Sequence, residues 1–235
     1  MDVLLFAPLM AALLLIRKNP LIASTMLSLA AAIKIWPLLL APILFKDWRD
    51  KIILYIGIAS LTAGLTAMSL MPMLLSLNEQ AGLVAYSANW TNSSFLFPIL
   101  RSGIDLISTD PNRMTRYFIA LLLASASLWL GLVKPFDSGK RTIEVFLIAA
   151  AFVLLSPTGY PWYFIWFLMF LPFAVQHPAS RGIACLTIGA SLYFARYKLG
   201  EAGRYEIYTN ILIPIAFGVP LLIMAWDSWK ARKHV

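Results

Sequence analysis

Apolar runs recur along the whole chain, separated only by short charged, proline-containing or glycine-containing stretches. The runs cover 2–16, 20–33, 36–45, 52–75, 115–133, 142–156, 163–176, 182–195 and 207–226, with a shorter, partly apolar run at 94–108. Only 13% of residues are charged, about half the share found in ordinary soluble domains. Because a soluble surface needs more polar cover, the bilayer is the solvent that fits this chain. The pattern predicts an all-α, polytopic transmembrane helical bundle of about eight or nine membrane helices, with 1–235 as a single transmembrane domain.

The segment 20–45 has two interpretations. It is either one long helix through Pro37 and Pro42, or a short helical hairpin with its apex at 34–37. The basic residues favour the hairpin, because it places twelve of the nineteen Lys and Arg residues on one membrane face. Cytoplasmic loops are enriched in Lys and Arg. We therefore expect an outer N-terminus, a cytoplasmic C-terminus and longer outer loops at 76–114, 156–163 and 196–206.

The charges and potential ligand residues also exclude several classes of partner. The net charge of +8 does not indicate nucleic-acid binding, since the basic residues lie in short loops between apolar runs. Membrane lipids are the partners that this arrangement predicts. The two histidines, His177 and His234, lack metal-ligand spacing, and Cys185 is the single cysteine. We therefore assign no metal ligand and expect no cofactor, and we leave open whether a divalent metal is used.

Lys34 is the first candidate for chemistry, because it follows an apolar helix and precedes Trp36. A lysine at membrane depth must pair, bind an anion or extend to the interface. One interpretation is an extended lysine with Trp36 as an interfacial anchor. The other is an ammonium group that binds a phosphate at the outer surface. A second cation, Arg101, follows Ser94 by seven residues and lies on roughly the same face of the short helix 94–108.

Two outer turns carry polar and aromatic side chains. In the first, the stretch 88–94 ends in Asn92, Ser93 and Ser94. It is either a solvated loop whose serines cap the following helix or part of an anion site. The second turn and its continuation contain Ser156, Pro161, Trp162, Tyr163 and Trp166. These rings form either an interfacial belt or a surface that stacks on a sugar or lines a lipid groove.

A third outer stretch carries the basic residues Arg196, Lys198 and Arg204. Tyrosines are interleaved with them, at Tyr193, Tyr197, Tyr205 and Tyr208. The cations either pair with the nearby Glu201 and Glu206, which contributes little at a surface, or form a secondary basic site. Guanidinium groups bind phosphate oxygens in bidentate fashion, so such a site would suit an anionic headgroup or a pyrophosphate.

Three segments together carry a family resemblance. They are Ala-Ala-Ile-Lys-Ile-Trp-Pro at 31–37, Asn92-Ser93-Ser94 with Arg101, and the Leu-Ser-Pro turn at 155–157 followed by Pro-Trp-Tyr at 161–163 and Trp166. In order and kind they resemble the lysine-to-proline, Asn-x-Ser…Arg and serine-proline segments of the polyprenyl-phosphate-mannose-dependent mannosyltransferases. These enzymes belong to the multi-spanning GT-C glycosyltransferases. The resemblance covers residues 23–175.

The resemblance implies a GT-C-like fold and transfer of a hexose, often mannose, from a polyprenyl-phosphate sugar to a lipid or glycan acceptor. The transfer would take place at the outer face of a bacterial plasma membrane. Lys34 and Arg101 would bind the donor phosphate and stabilise its charge as it leaves. The donor sugar and lipid would contact Trp36, Asn92, Ser93, Ser94, Ser156, Pro161, Trp162, Tyr163 and Trp166.

The N-terminus departs from the family pattern. The family carries its acidic general base in the first outer loop, whereas Asp2 is the only carboxylate near the start of this chain. We therefore assign no catalytic residue and expect the chain to be the C-terminal portion of a longer protein. Two alternatives remain open. A non-catalytic membrane scaffold or assembly subunit would have Lys34, Arg101 and Trp162 pointing apart, and a small transporter of lipid-linked anions would need polar groups at mid-membrane depth.

Overall fold

The computed structural model describes residues 2–75, 91–135, 137 and 140–233. Within these residues the regular structure is helical, and one isolated parallel bridge joins Asn92 to Thr158. The helices are α1 (Phe6–Leu15), α2 (Pro20–Ile33), α3 (Ala41–Leu44), α4 (Ile52–Leu75), α5 (Leu96–Asp105), α6 (Pro111–Leu128), α7 (Arg141–Leu155), α8 (Ile165–Leu168), α9 (Ser180–Ala190), α10 (Ala195–Glu201), α11 (Tyr205–Ile207) and α12 (Ile213–Lys233). Short 3₁₀ and π turns extend or connect several of them. The predicted all-α fold is confirmed.

Three helical stretches in this described part of the chain are long and apolar enough to cross a bilayer. They are Ile52–Pro72, Pro111–Val133 and Tyr205–Lys233. No more than 22% of the apolar window of each is buried inside the protein. An apolar surface of that extent is typical of contact with lipid, and the chain is a membrane protein. The total of eight or nine crossings stays a prediction.

The chain divides into two compact units. The first comprises the described part of 1–89 together with Phe118–Ile148, and the second comprises the described part of 90–117 and 149–235. The first unit contains α1 to α4 and carries Lys34 and Trp36. The second contains α5 and α8 to α12 and carries Arg101 and the aromatic turn. That 1–235 form a single transmembrane domain stays a prediction.

The hairpin predicted at 20–45 is present in the first unit. The backbone becomes extended at Lys34, with φ −147° and ψ 131°, and α2 ends there. The chain then returns along α2, and the Trp48 indole donates a hydrogen bond to the Ile16 carbonyl at 3.1 Å. On the same side, Arg17 Nε lies 3.5 Å from Asp47 Oδ2. The two ends of the segment therefore meet, as a hairpin requires.

Two predicted apolar spans are not continuous helices. The returning limb of the hairpin consists of the 3₁₀ turns Trp36–Leu40 and Phe45–Trp48 with α3 between them. The predicted span 163–176 was wrong as one helix, because it is divided into α8 and the 3₁₀ turn Leu171–Phe173. Prolines lie near the start of each broken stretch. Proline lacks an amide hydrogen and disfavours helical backbone in the preceding residue, so it interrupts these apolar runs.

Helices α2 and α4 pack through small and hydroxyl-bearing residues. Ser24 Oγ lies 2.7 Å from Thr62 Oγ1, and both side chains are buried. Ser28 Oγ lies 2.9 Å from the Ser24 carbonyl and 3.2 Å from the Thr62 carbonyl. Small residues let helix backbones approach each other in a membrane, and hydroxyl groups add interhelical hydrogen bonds.

A buried ion cluster closes one end of the first unit. Lys46 Nζ lies 2.6 Å from Glu144 Oε2, and Lys134 Nζ lies 3.0 Å from Glu144 Oε1. The Lys46 side chain is fully buried and that of Glu144 is 3% exposed. A buried charge needs such a partner, because an unpaired ion in a low-dielectric interior is strongly unfavourable.

A second carboxylate joins the same end. Asp47 forms ion pairs with both Arg141 and Arg17. The Arg49 guanidinium donates to the carbonyl of Lys134 at 2.8 Å. Desolvation, and then the charge of Arg17, lower the pKa of Arg141 to about 10, so this guanidinium remains cationic at neutral pH. The hairpin interpretation placed these basic residues on one membrane face, and in the structure they lie together. We call this region the basic end; it includes Arg17, Lys46, Arg49, Lys134 and Arg141.

Candidate functional site

The backbone at Asn92 is fixed against the turn that follows α7. The Asn92 amide donates to the Pro157 carbonyl at 2.9 Å, and the Gly159 amide donates to the Asn92 carbonyl at 2.8 Å. The next residue, Ser93, has a left-handed backbone with φ +53°. A Cβ at Gly159 would collide with the Ser93 carbonyl, so only glycine permits this approach. Two turns of the second unit are thereby held side by side.

The Asn92 side chain is the centre of a hydrogen-bond network. Its Oδ1 accepts from Arg196 Nη1 at 2.7 Å and from Ser93 Oγ at 2.9 Å. Its Nδ2 donates to the Tyr160 hydroxyl at 3.1 Å. Ser93 Oγ also lies 2.7 Å from the Tyr208 hydroxyl. The amide group is therefore satisfied on both sides, which fixes its orientation and that of Arg196.

Arg196 is surrounded by tyrosine rings. Its guanidinium carbon lies 5.4 Å, 5.6 Å and 5.9 Å from the ring centroids of Tyr193, Tyr197 and Tyr205. Such contacts stabilise a cation. Burial works against the charge, but Tyr205 and Tyr193 outweigh that penalty, and the pKa of Arg196 is raised. Within the described residues its hydrogen bonds all use Nη1, so Nε and Nη2 can donate to an anion.

Trp162 contacts Tyr193, one of the rings that surround this cation. Its ring stacks on Tyr160 with a centroid distance of 4.7 Å and an interplanar angle of 9°. It also meets Tyr193 edge to face at 6.0 Å. The Trp162 residue is 45% exposed, whereas Tyr163 and Trp166 are buried and stack on each other at 4.2 Å. Of the three rings, Trp162 can therefore offer a flat surface to a ligand.

The other predicted residues of the second unit have varied positions. Arg101 is exposed on α5 and makes no hydrogen bond or ion pair with the described residues. Ser94 is buried, and Ser156 Oγ accepts from the Thr158 amide at 3.2 Å. Pro161 begins a 3₁₀ turn that leads into α8. The structure thus brings Asn92 and Ser93 together with Arg196 but leaves Arg101 outside that network.

The three cations of the predicted secondary basic site have different surroundings. Lys198 Nζ lies 3.4 Å from Glu201 Oε2, and both side chains are exposed. Arg204 is exposed as well. In contrast, Arg196 belongs to the Asn92 network. Of these three cations, Arg196 is therefore the one that hydrogen-bonds to Asn92, and the secondary basic site stays a prediction.

The sequence analysis offered Ser93 and Ser94 as caps of the following helix, and the structure differs. The short helix begins at Leu96, and Phe95 occupies the cap position without a side-chain capping bond. The Ser93 hydroxyl contacts Asn92 and Tyr208 instead. The left-handed backbone at Ser93 separates this residue from the helix start. The first part of the polar stretch 88–94, up to residue 90, lies outside the described residues, as does the rest of 76–90.

In the first unit, Lys34 is half-buried at the end of α2, and Trp36 is buried in the 3₁₀ turn that follows.

Sequence reasoning missed Gly159, Tyr160 and Thr158 as parts of the Asn92 network. Pro157 and Pro161 flank Gly159 and Tyr160 and favour a turn there, but nothing in the local sequence indicates which segment that turn contacts. Among the described residues, no group of three or more His, Cys, Asp or Glu could hold a metal ion.

Comparison with protein families assigns the chain. A family model described as glycosyltransferase family 87 matches residues 1–157, about two thirds of the sequence. The chain belongs to glycosyltransferase family 87. No match was found among curated proteins, and none among solved structures. Family 87 membership and the apolar helices together identify the chain as a membrane glycosyltransferase. Both the membrane location and the glycosyltransferase class agree with the predictions from the sequence.

The family 87 match contains several of the candidate residues. Lys34, Arg101 and the Asn92–Ser94 segment lie inside it, and it ends at Pro157, the backbone partner of Asn92. Trp162 and Arg196 lie beyond the matched region. The network therefore joins a residue within the family match to residues outside it.

Proposed function

We propose that the protein transfers a hexose, with mannose as the first candidate, from a polyprenyl-phosphate sugar to a lipid or glycan acceptor. The reaction takes place at the outer face of a bacterial plasma membrane, and the C-terminus is cytoplasmic. The observation that carries the proposal is that Trp162 and Arg196 both contact Tyr193 in a chain of family 87. An aromatic face suits a sugar ring, and a guanidinium group suits a phosphate.

The chemistry of the donor fits the residues that we assign to it. The acceptor hydroxyl attacks the anomeric carbon and loses its proton to the solvent, the bond from that carbon to the phosphate oxygen breaks, and polyprenyl phosphate leaves. Negative charge therefore grows on the phosphate in the transition state, where fixed cations are most effective. We assign Lys34 and Arg101 to this phosphate. Because Arg101 is exposed, its guanidinium is open to a ligand.

Arg196 extends the proposal beyond these two cations. Asn92 and the tyrosines hold its guanidinium in one orientation, which reduces the entropy lost when an anion binds. Trp162 stacks on the sugar, while the buried Tyr163 and Trp166 support the turn that carries it. The proposed chemistry needs no cofactor.

The lipid tail and the shape of the site are assigned to the remaining candidates. Trp36 is assigned to the lipid tail, and Pro161, Ser93, Ser94 and Ser156 are assigned to the shape of the sugar site. Most of these side chains are at least half-buried, so they act by fixing the backbone and excluding water rather than by large contact surfaces.

The test is a transfer assay on the purified protein in nanodiscs. Radiolabelled polyprenyl-phosphate mannose, polyprenyl-phosphate glucose and a nucleotide mannose are offered separately with a membrane lipid extract as acceptor. We expect label in the lipid or glycan fraction from a polyprenyl-phosphate donor and none from the nucleotide sugar. Transfer from the nucleotide sugar alone contradicts the proposal. The absence of transfer from all three donors also contradicts it and favours a non-catalytic scaffold.

A further inference from the structure

The first unit contains an open apolar groove at the basic end, where α2 and α4 begin. The groove has a volume of about 620 Å³, within the range of about 300–1,000 Å³ typical of small-molecule sites. Leu21 forms one wall, and Ile52, Ile53 and Gly57 form the other. The Ile53 residue is 86% exposed. Such a surface is unfavourable in water and suits a hydrocarbon chain.

A cation lies at one end of this groove. Lys51 lines it, is exposed, and holds its ammonium group 5.6 Å from the Trp48 ring centroid. Within the described residues Lys51 makes no ion pair. The basic end as a whole, 17–18, 46–51 and 134–144, carries eight basic and four acidic side chains, a net charge of +4. The end of the unit at which Lys51 lies therefore carries a net positive charge, although the Asp50 side chain is exposed beside it in sequence.

We propose that this groove binds one anionic phospholipid from the surrounding leaflet. The phosphate lies against Lys51, and the first part of an acyl chain lies in the groove between Leu21 and the wall formed by Ile52 and Gly57. Basic residues at the membrane surface attract anionic lipids, and each buried methylene of a chain adds to binding. The groove is at the start of α2 and Lys34 is at its end, roughly 20 Å away along the helix. The lipid site is therefore separate from the proposed phosphate site and independent of the proposed function.

Gly57 allows the groove to be filled without disturbing the fold. A Cβ built at Gly57 meets no atom within 4 Å, and the same is true of Gly64 two turns further along α4. Gly64 does not line the groove. Gly57→Leu thus occupies the groove, and Gly64→Leu is a matched control on the same helix. Lys51→Gln removes the cation, with Arg113→Gln on the exposed part of α6 as the control for a lost charge.

The experiment is native mass spectrometry of the delipidated protein, titrated with phosphatidylglycerol or with phosphatidylcholine. For the wild type we expect one tightly bound phosphatidylglycerol and a clear preference over phosphatidylcholine. Lys51→Gln should lower the phosphatidylglycerol affinity roughly five-fold and leave phosphatidylcholine unchanged. Gly57→Leu should remove the tight site, while Gly64→Leu and Arg113→Gln should retain it.

Three results would overturn the proposal. Equal binding of the two lipids shows that the groove does not select charge. An equal loss in Gly57→Leu and Gly64→Leu shows that the bound lipid is not in the groove. Displacement of phosphatidylglycerol by an equimolar amount of polyprenyl phosphate shows instead a site for the donor lipid. Because no sugar transfer is measured, failure of this test does not depend on the proposed enzymatic activity.

Discussion

Asn92 Oδ1 accepts a hydrogen bond from Arg196 Nη1 at 2.7 Å, although 104 residues separate them in the sequence. A hydrogen bond to a charged group contributes about 1.5–3 kcal/mol. We expect Asn92→Ala to lower the free energy of unfolding by about 2 kcal/mol, measured by detergent-denaturation titration. Asn92→Asp keeps an acceptor for Arg196 and should remain near the wild type. An equal loss in both variants would mean that the pairing does not stabilise the fold.

Gly159 offers a second test of the same turn. Its Cα faces the Ser93 carbonyl so closely that an added Cβ would collide with it. We expect Gly159→Ala to lower the unfolding free energy by about 1–3 kcal/mol, in the range of overpacked sites. Gly200→Ala is the control, because a Cβ there meets nothing within 4 Å. A neutral Gly159→Ala variant would contradict the close approach of the two turns.

The buried carboxylate of Glu144 should be sensitive to neutralisation. Glu144→Gln removes the charge that faces both Lys46 and Lys134. We expect a loss of about 3–5 kcal/mol in the unfolding free energy, because a buried cation is left without its carboxylate. Glu201→Gln serves as the control, since its pair with Lys198 is exposed and such pairs contribute less than about 1 kcal/mol. Similar losses in the two variants would argue against a buried cluster.

The contact of α2 with α4 predicts a smaller effect. Ser24→Ala removes the buried hydrogen bond to Thr62, and such bonds contribute about 0.6 kcal/mol on average in membrane proteins. Ser69→Ala is the matched control on α4, because Ser69 is exposed and bonds only within its own helix. We expect a measurable loss for Ser24→Ala alone. A larger loss at Ser69 would contradict the helix pairing.

Much of the fold follows from one-dimensional patterns. Apolar runs predicted the helices, and the distribution of Lys and Arg predicted the hairpin, which the Arg17–Asp47 pair confirms. The prediction of one helix over 163–176 was wrong, because hydropathy does not distinguish one long helix from several short helical turns. There, ring packing between Tyr163 and Trp166 and between Phe164 and Phe167 accompanies the broken backbone. Tertiary contacts of this kind override local helix propensity.

The candidate site was predictable in its parts but not in its assembly. Local composition indicated Asn92, Ser93, Trp162 and Arg196 separately. Their union depends on a backbone bridge between Asn92 and Thr158, which has no local signature. Arg196 was therefore grouped with Lys198, its neighbour in sequence, rather than with Asn92, its partner in space.

The most direct test of the account is the donor kinetics of Lys34→Ala and Arg101→Ala in the hexose-transfer assay. If both cations bind the leaving phosphate, each variant should lose at least about ten-fold in kcat/KM for the polyprenyl-phosphate sugar. Lys140→Ala, which removes an exposed cation from the basic end, should retain the wild-type value. Wild-type kcat/KM in both Lys34→Ala and Arg101→Ala would contradict the central claim that these two residues bind the donor phosphate.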